Sequence, residues 1–316
     1  MYLKRVTRVF FATDLHGSET CWRKFLNAAA FYRADVLVCG GDMTGKAIVP
    51  MVEAAGGYEF VLGGARQAVA AAEADAAVTR IQRRGYYPVR MSAAEVRELQ
   101  ADPARVETLF TEQMCRTVER WMRLADEKLA GSGVRCFVCP GNDDEPAIDD
   151  VIRAAARVEL AEGRVIDLGG HEMISTGWAN PTPWNTHREE PEDALGVRIE
   201  AMASRLREPE HAIFNLHVPP YGSKLDEAPA LDEHLRPIHA GRAFRPVGST
   251  AVRDAIVRHR PLLSLHGHIH ESRGASRLGR TLAINPGSAY EESVLMAAVV
   301  QLDRRRGVRS YQLVNG

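Results

Sequence analysis

Val6-Thr-Arg-Val-Phe-Phe-Ala12-Thr-Asp14-Leu-His16-Gly17 is an apolar, β-prone run that stops at a carboxylate and an imidazole. The run Val6–Ala12 predicts a strand, and residues two apart on an extended chain point the same way, so Asp14 and His16 can reach one centre. The arrangement recurs downstream. Val36–Cys39 leads into Gly40-Gly41-Asp42, and Arg135–Cys139 leads into Pro140-Gly141-Asn142-Asp143. Ala212–Leu216 leads into His217, and Leu262–Leu265 leads into His266-Gly267-His268-Ile269-His270. Glycines beside these polar residues allow tight turns and close backbone approach.

Helical patterns alternate with the strands. Glu19–Tyr32 carries Trp22, Phe25, Leu26 and Ala29 at helical spacing. Helices are also expected over residues 146–158, over residues 191–206, and from the Ser249 cap to Arg258; strands are expected over residues 165–168, 172–178, 281–285, 294–302 and 308–314. This alternation predicts an α/β chain whose site lies in the loops at the carboxyl ends of the strands. Residues 45–133 differ in composition. Residues 65–84 are rich in helix formers, Ser92 to Glu95 forms a capping box, and Pro103 opens a long amphipathic segment to Ala130. Only Tyr58–Leu62, flanked by Gly pairs, looks strand-like. The block reads as a mostly helical insertion in a single domain spanning residues 1–316.

The chain has 316 residues, 45% of them hydrophobic, enough for a substantial core. A formal net charge of -1 argues against nucleic-acid binding driven by phosphate neutralisation. Five cysteines, an odd number in a long chain, argue against a disulfide framework. Cys136 and Cys139 form a lone pair with no partner pair for zinc, and read as core residues on opposite strand faces. Met1–Arg8 is basic but is not followed by a signal-peptide apolar region, and no run approaches the ~18 apolar residues of a membrane span. The expected location is the cytoplasm, with no membrane partner.

Asp14, His16, Asp42, Asn142, His217, His268 and His270 mix oxygen and imidazole donors. Such a set suits Mn, Fe, Zn, Co or Ni rather than Ca or Mg alone. Seven ligands exceed the four of a structural zinc. They suit two divalent transition metal ions sharing a carboxylate, ~3.5–4 Å apart.

In order, the clusters D-x-H, G-D, G-N-D, H and G-H-x-H resemble the signature blocks of the calcineurin-like metallophosphoesterase superfamily. The resemblance runs from Asp14 to His270 and leaves out the insertion. It implies an αββα sandwich, two packed mostly mixed β-sheets flanked by helices. It also implies one ion on Asp14, His16, Asp42 and His270, and a second on Asp42, Asn142, His217 and His268, with Asp42 bridging. Asp42, Asn142, Asp143 and His217 would then act in catalysis. The implied reaction is hydrolysis of a small phosphomonoester or phosphodiester by a hydroxide held between the ions. Many members carry His where this chain has Asp143, and that His is often assigned as the proton donor to the leaving group. With a usual pKa of ~3.9, Asp143 serves as an acid only if its surroundings raise it; otherwise it orients a ligand.

Other residues are weaker candidates. Arg188 could hold a phosphate bidentately and Tyr221, close after His217, could touch substrate. Trp184, Asn185 and His187 could line a pocket. Asn285-Pro-Gly-Ser288 reads as a turn closing a strand, His266 as a strand-end residue beside the ligands, and Arg83-Arg84 and Arg304-Arg305-Arg306 as solvated surface. The insertion leaves after Asp42 and returns before Asn142, a position suited to a cap over the site or to a homo-oligomer interface. Two rival functions stand beside a phosphoesterase: a nuclease of the same superfamily, and a binding module that keeps the fold without catalysis.

Overall fold

The computed structural model describes residues 6–316, so the first five residues of the basic N-terminal stretch lie outside it. Two six-stranded sheets form the centre. In spatial order the first is Gly307–Asn315, Met296–Asp303, Val6–Ala12, Val36–Cys39, Arg135–Val138 and Val158–Leu160. The second is Gly274–Leu278, Thr281–Asn285, Leu263–Leu265, Ile213–Leu216, Glu172–Thr176 and Val165–Asp167. In the first sheet the pairs from Val6–Ala12 to Val158–Leu160 are parallel and the two at the other end antiparallel; in the second the central pairs are parallel and both edge strands antiparallel, so both sheets are mixed.

Period-2 alternation builds the layers. Val9, Phe11, Val36, Val38 and Phe137 face Met173, Ile213, Leu263 and Ile284 in a core shared by the two sheets. Phe10, Leu37, Cys136 and Val138 point the other way, onto the helices Glu19–Phe31, Pro103–Leu129 and Ile148–Arg153. Ile174, Phe214 and Leu216 pack on Glu192–Ala203 and Thr250–His259. The result is the expected αββα sandwich. Cys136 and Cys139 fall into different cores, and all five cysteines are unpaired.

Local chemistry fixes the helix ends. Ser18 Oγ accepts from Cys21 N, and Asp102 caps the long helix that begins at Pro103. Trp22 stacks on Trp121 with ring centroids 5.0 Å apart and donates to the Trp121 carbonyl at 3.1 Å. This stack locks the long helix to the first one.

Helices Ala74–Arg83, Ala93–Ala101 and Pro103–Leu129 occupy just over half of the insertion, and it holds more strand than the sequence shows. It carries a four-stranded sheet ordered Ala65–Ala70, Gly57–Leu62, Ile48–Ala54 and Tyr87–Met91. The helix expected over residues 65–84 begins only after the short 3-10 turn that follows Ala70, and runs Ala74–Arg83. Turn chemistry outweighs propensity here. Gly63 and Gly64, at φ 61° and 75°, form the two-residue hairpin loop between Leu62 and Ala65. Val49, Met51, Phe60 and Leu62 pack on Ala77 and Ile81 as a small separate core. From Met114 onward the long helix belongs to the main sandwich. The helix expected over residues 146–158 is shortened to Ile148–Arg153, because Val158–Leu160 joins the first sheet as its edge strand.

Among the described residues, no helix is long and apolar enough to cross a membrane.

Candidate metal centre

Five loops meet at the carboxyl ends of parallel strands. Val6–Ala12 presents Asp14 and His16, Val36–Cys39 presents Asp42, and Arg135–Val138 presents Asn142, all from the first sheet. Ile213–Leu216 presents His217 and Leu263–Leu265 presents His268 and His270, from the second. Backbone hydrogen bonds tie the loops together: Asp14 N to Gly41 O and His16 N to Asp42 O, both 2.9 Å, and Gly267 N to His217 O at 2.8 Å. His268 N donates to both carboxylate oxygens of Asp14, at 3.0 and 3.1 Å, which joins the two sheets at the site.

Asp14, His16, Asp42 and His268 all have left-handed backbone, with φ of 54°, 40°, 47° and 67°. That conformation costs a non-glycine residue roughly 1–2 kcal/mol, and such strain gathers where side chains must be aimed. The glycines have a sharper reason. A Cβ on Gly141 would fall on the Asp42 carboxylate, and one on Gly267 on that of Asp14.

Eight polar side chains converge. Asp14, His16 and His270 offer atoms within 4.8 Å of one another, as do Asp42, His217 and His268, and His16, Asp42 and Asp143. Asp42 Oδ2 lies 3.3 Å from His217 Nε2 and 3.7 Å from His16 Nε2, between the first two groups. Asn142 Oδ1 lies 2.7 Å from His268 Nδ1, and its amide donates to Thr186 Oγ1 at 2.8 Å.

Two observations test whether these residues fit metal ions. His217 Nε2, facing Asp42, is buried without a hydrogen-bond partner, and His16 Nε2 meets His270 Nε2 at 3.0 Å, nitrogen against nitrogen. Buried imidazole nitrogens left unpaired are costly unless something else occupies their lone pairs. The donor set also combines two buried carboxylates with four imidazoles and an amide oxygen, as N/O-binding divalent cations require. The residues fit.

The charges interlock. Burial pushes the Asp14 carboxyl up, but His270 and His217 outweigh it and hold it below the usual carboxylate range. Burial likewise opposes, and His217 and His16 overcome, at Asp42, which is also held low. His217 is pushed up to about 9, because Asp42 and Asp14 override its burial. His268 is pushed down to about 4, by burial and by the charge of His217. Burial and then Lys46 push His16 down.

Asp143 sits at the edge of this group. Its amide donates to Asp42 Oδ1 at 3.0 Å, and its Oδ2 lies 3.8 Å from His16 Nδ1 and 3.2 Å from Lys46 Nζ. Burial and the charge of Asp42 push its carboxyl up to about 6, against the pull of Lys46.

Three residues escape the sequence reading. Lys46 pairs with Asp143 from within the insertion. Asp144 is fully buried and accepts from Gly141 N, Met43 N, Thr44 N and the Thr44 hydroxyl at 2.6–3.0 Å, clamping two site loops together. The Tyr290 ring lies 4.7 Å from that of His16 and 5.9 Å from that of His270. Their contacts with the site loops mostly span long sequence separations, Asp144 with Gly141 being the local exception.

Arg188 is not placed to hold phosphate. It is 3% exposed and its guanidinium is used up by Asp149 at 2.6 Å and by the carbonyls of Asp144 and Glu145. Burial with a fixed partner makes it a brace under the Asn142 loop. Tyr221 is exposed, and its backbone bonds Ser249 and Arg253. Trp184 and His187 are exposed on the loop that precedes Arg188. His266 is buried, with Nδ1 on the Leu216 and Val218 carbonyls and Nε2 on Ser264, so neither nitrogen reaches the site. The 285–288 turn does more than close a strand: Asn285 donates to the Gly267 and Ile269 carbonyls, and Ser288 Oγ to the Asp14 carbonyl at 2.7 Å. Arg304–Arg306 forms the turn between two strands, with Asp303 accepting from two of its amides.

No model of a known protein family matches the chain. MJ1162 of Methanocaldococcus jannaschii, described as uncharacterized, is 28% identical over 165 residues, covering 51% of this chain and 68% of that protein. One crystal structure aligns over 98% of both chains with a TM-score of 0.58 and 17% identity. TT1561 of Thermus thermophilus aligns over 98% of this chain and 99% of its own, with a TM-score of 0.52 and 15% identity. The αββα sandwich and the five loops gathered at one rim are the arrangement expected from the sequence motifs.

Proposed function

We propose that the protein is a metal-dependent phosphoesterase that hydrolyses a small phosphomonoester or phosphodiester at a two-ion centre. The observation that carries this reading is the pair of carboxylate–imidazole groups meeting at Asp42, with His217 Nε2 buried and unpartnered in one and His16 Nε2 set against His270 Nε2 in the other. Asp14, His16, Asp42 and His270 would hold one ion, and Asp42, Asn142, His217 and His268 the other. When bound, such ions supply Lewis acidity: they bring a water toward neutral pKa and neutralise phosphate oxygens.

The protein's own residues do the rest. The depressed pKa values of Asp14 and Asp42 keep both carboxylates ionised and ready to ligate. The Asn142 amide oxygen adds a neutral donor, fixed by Thr186 behind it. Asp143, at the edge of the centre with its Oδ2 held by Lys46, is the carboxyl suited to carry a proton to the leaving oxygen. Five unpaired thiols support a reducing compartment such as the cytoplasm.

The test is hydrolysis of p-nitrophenyl phosphate and bis(p-nitrophenyl) phosphate by the purified protein with Mn(II), Zn(II), Co(II) or Ni(II), before and after chelation. Chelator-sensitive turnover of either ester is expected, and the preferred ester assigns the class. No turnover with any metal would rule the reading out.

A further inference from the structure

A cavity of 820 Å³ lies where the insertion meets the main sandwich. Ile48, Met91, Leu99, Val106, Leu109 and Phe110 supply apolar wall, from the insertion's sheet and its two following helices. Lys46, Glu145 and His187 supply a polar edge. Its size falls within the ~300–1,000 Å³ typical of small-molecule sites.

Lys46 belongs to both places. It lines the cavity, and its Nζ is 3.2 Å from Asp143 Oδ2, which is 3.8 Å from His16 Nδ1. The apolar wall therefore begins one ion pair away from the candidate metal centre. The polar edge is held in place from the same side. Thr111 donates to Glu145 Oε2 at 2.7 Å, and His187 Nε2 lies 3.9 Å from Glu145 Oε1. A concave apolar wall, with a lysine between it and an anion-binding centre, matches an amphiphile with a phosphate head and a hydrocarbon tail.

We infer that this cavity binds the alkyl or acyl portion of the substrate, so that the natural substrate is a phosphate ester bearing an apolar chain. The inference rests on the phosphoesterase reading for where the phosphate sits. The contribution of the cavity is hydrophobic, about 0.8 kcal/mol per buried methylene, or roughly fourfold in affinity. A second copy of this chain would bury the same wall without any dependence on the ester.

The experiment has a kinetic and a binding arm. The first compares kcat/KM for p-nitrophenyl methyl, butyl, hexyl and octyl phosphates, which share a leaving group. The second titrates butyl, hexyl and octyl phosphate into the protein calorimetrically. Both are repeated with Val106→Asp, at a position 41% exposed and so tolerant of charge, and with Leu99→Trp, which fills the cavity with apolar volume. The expected result is a kcat/KM and an affinity that rise about two- to fourfold per methylene and lose that dependence in either variant. A flat series in an active enzyme overturns the inference and leaves the phosphoesterase standing. A rising binding series with no turnover of any ester supports the cavity and removes the phosphoesterase. A dimer in sedimentation that Val106→Asp dissociates, together with a flat series, assigns the wall to a subunit contact and overturns the inference.

Discussion

His16 Nε2 and His270 Nε2 face each other at 3.0 Å beside the Asp14 carboxylate, although their loops are 254 residues apart in sequence. Without a cation one ring must donate to the other; with one, both lone pairs are used. Mn(II) at a hundredfold over its Kd is therefore expected to stabilise the protein by about 2.7 kcal/mol per site, raising Tm by several degrees. Calorimetry with metal analysis checks this, with two ions per chain expected. Uptake of less than one ion per chain would sink the two-ion reading.

Asp42→Asn removes the carboxylate that lies between the two groups. Turnover of an activated aryl ester is expected to fall by well over the ~100-fold typical of losing a residue that merely supports a ligand. Metal stoichiometry should fall with it. Full activity in this variant would show that Asp42 bridges nothing.

Asp143→Asn separates the two roles open to that carboxyl. As proton donor, it matters most for a poor leaving group. Hydrolysis of an alkyl phosphate should drop ~100-fold or more, against a few-fold for a p-nitrophenyl ester. Equal losses on both, with weaker metal binding, would instead make Asp143 a positioning residue for His16.

Arg188→Met breaks a buried ion pair and leaves Asp149 facing the gap. A loss of about 3–5 kcal/mol in stability is expected, with KM for small esters unchanged at temperatures where the variant is folded. A raised KM with unaltered stability would restore the phosphate-binding role.

Glu162 gives a pH prediction away from the metal loops. Burial pushes its carboxyl above the ordinary value of 4.5, though Gly177 N and the Thr176 hydroxyl donate to it. A folded-state pKa above the unfolded one contributes stability that is full below the unfolded pKa and is lost as pH rises through the folded one. Glutamine can accept from Gly177 N with its oxygen, donate to the Thr176 hydroxyl with its amide, and cannot ionise. The Tm of wild type minus that of Glu162→Gln should therefore become more negative as pH rises from 4.5 toward neutrality. A difference that stays constant over that range would mean no shift exists.

Much of the sandwich is legible in sequence because each central strand is short, apolar and ends in a polar residue at a turn. Asp14, His16, Asp42, Asn142, His217, His268 and His270 share that local context, and they converge in space. The insertion is less legible because Ala and Arg are strong helix formers, and residues 65–70 are drawn into a strand by the Gly63-Gly64 turn and its pairing partner. Arg188 misleads for a different reason: an arginine in a polar loop looks the same in sequence whether it faces solvent or Asp149. Lys46 and Asp144 leave little signal, since most of their partners lie about a hundred residues away.

His268 N on the Asp14 carboxylate sets an order in time as well as in space. The first half of the chain ends with Asn142 in place but without any imidazole from the second sheet. Until residues 213–270 fold and dock, neither cluster is complete. The second sheet thus acts as a safety catch: neither cluster exists until its three imidazoles dock against the first sheet.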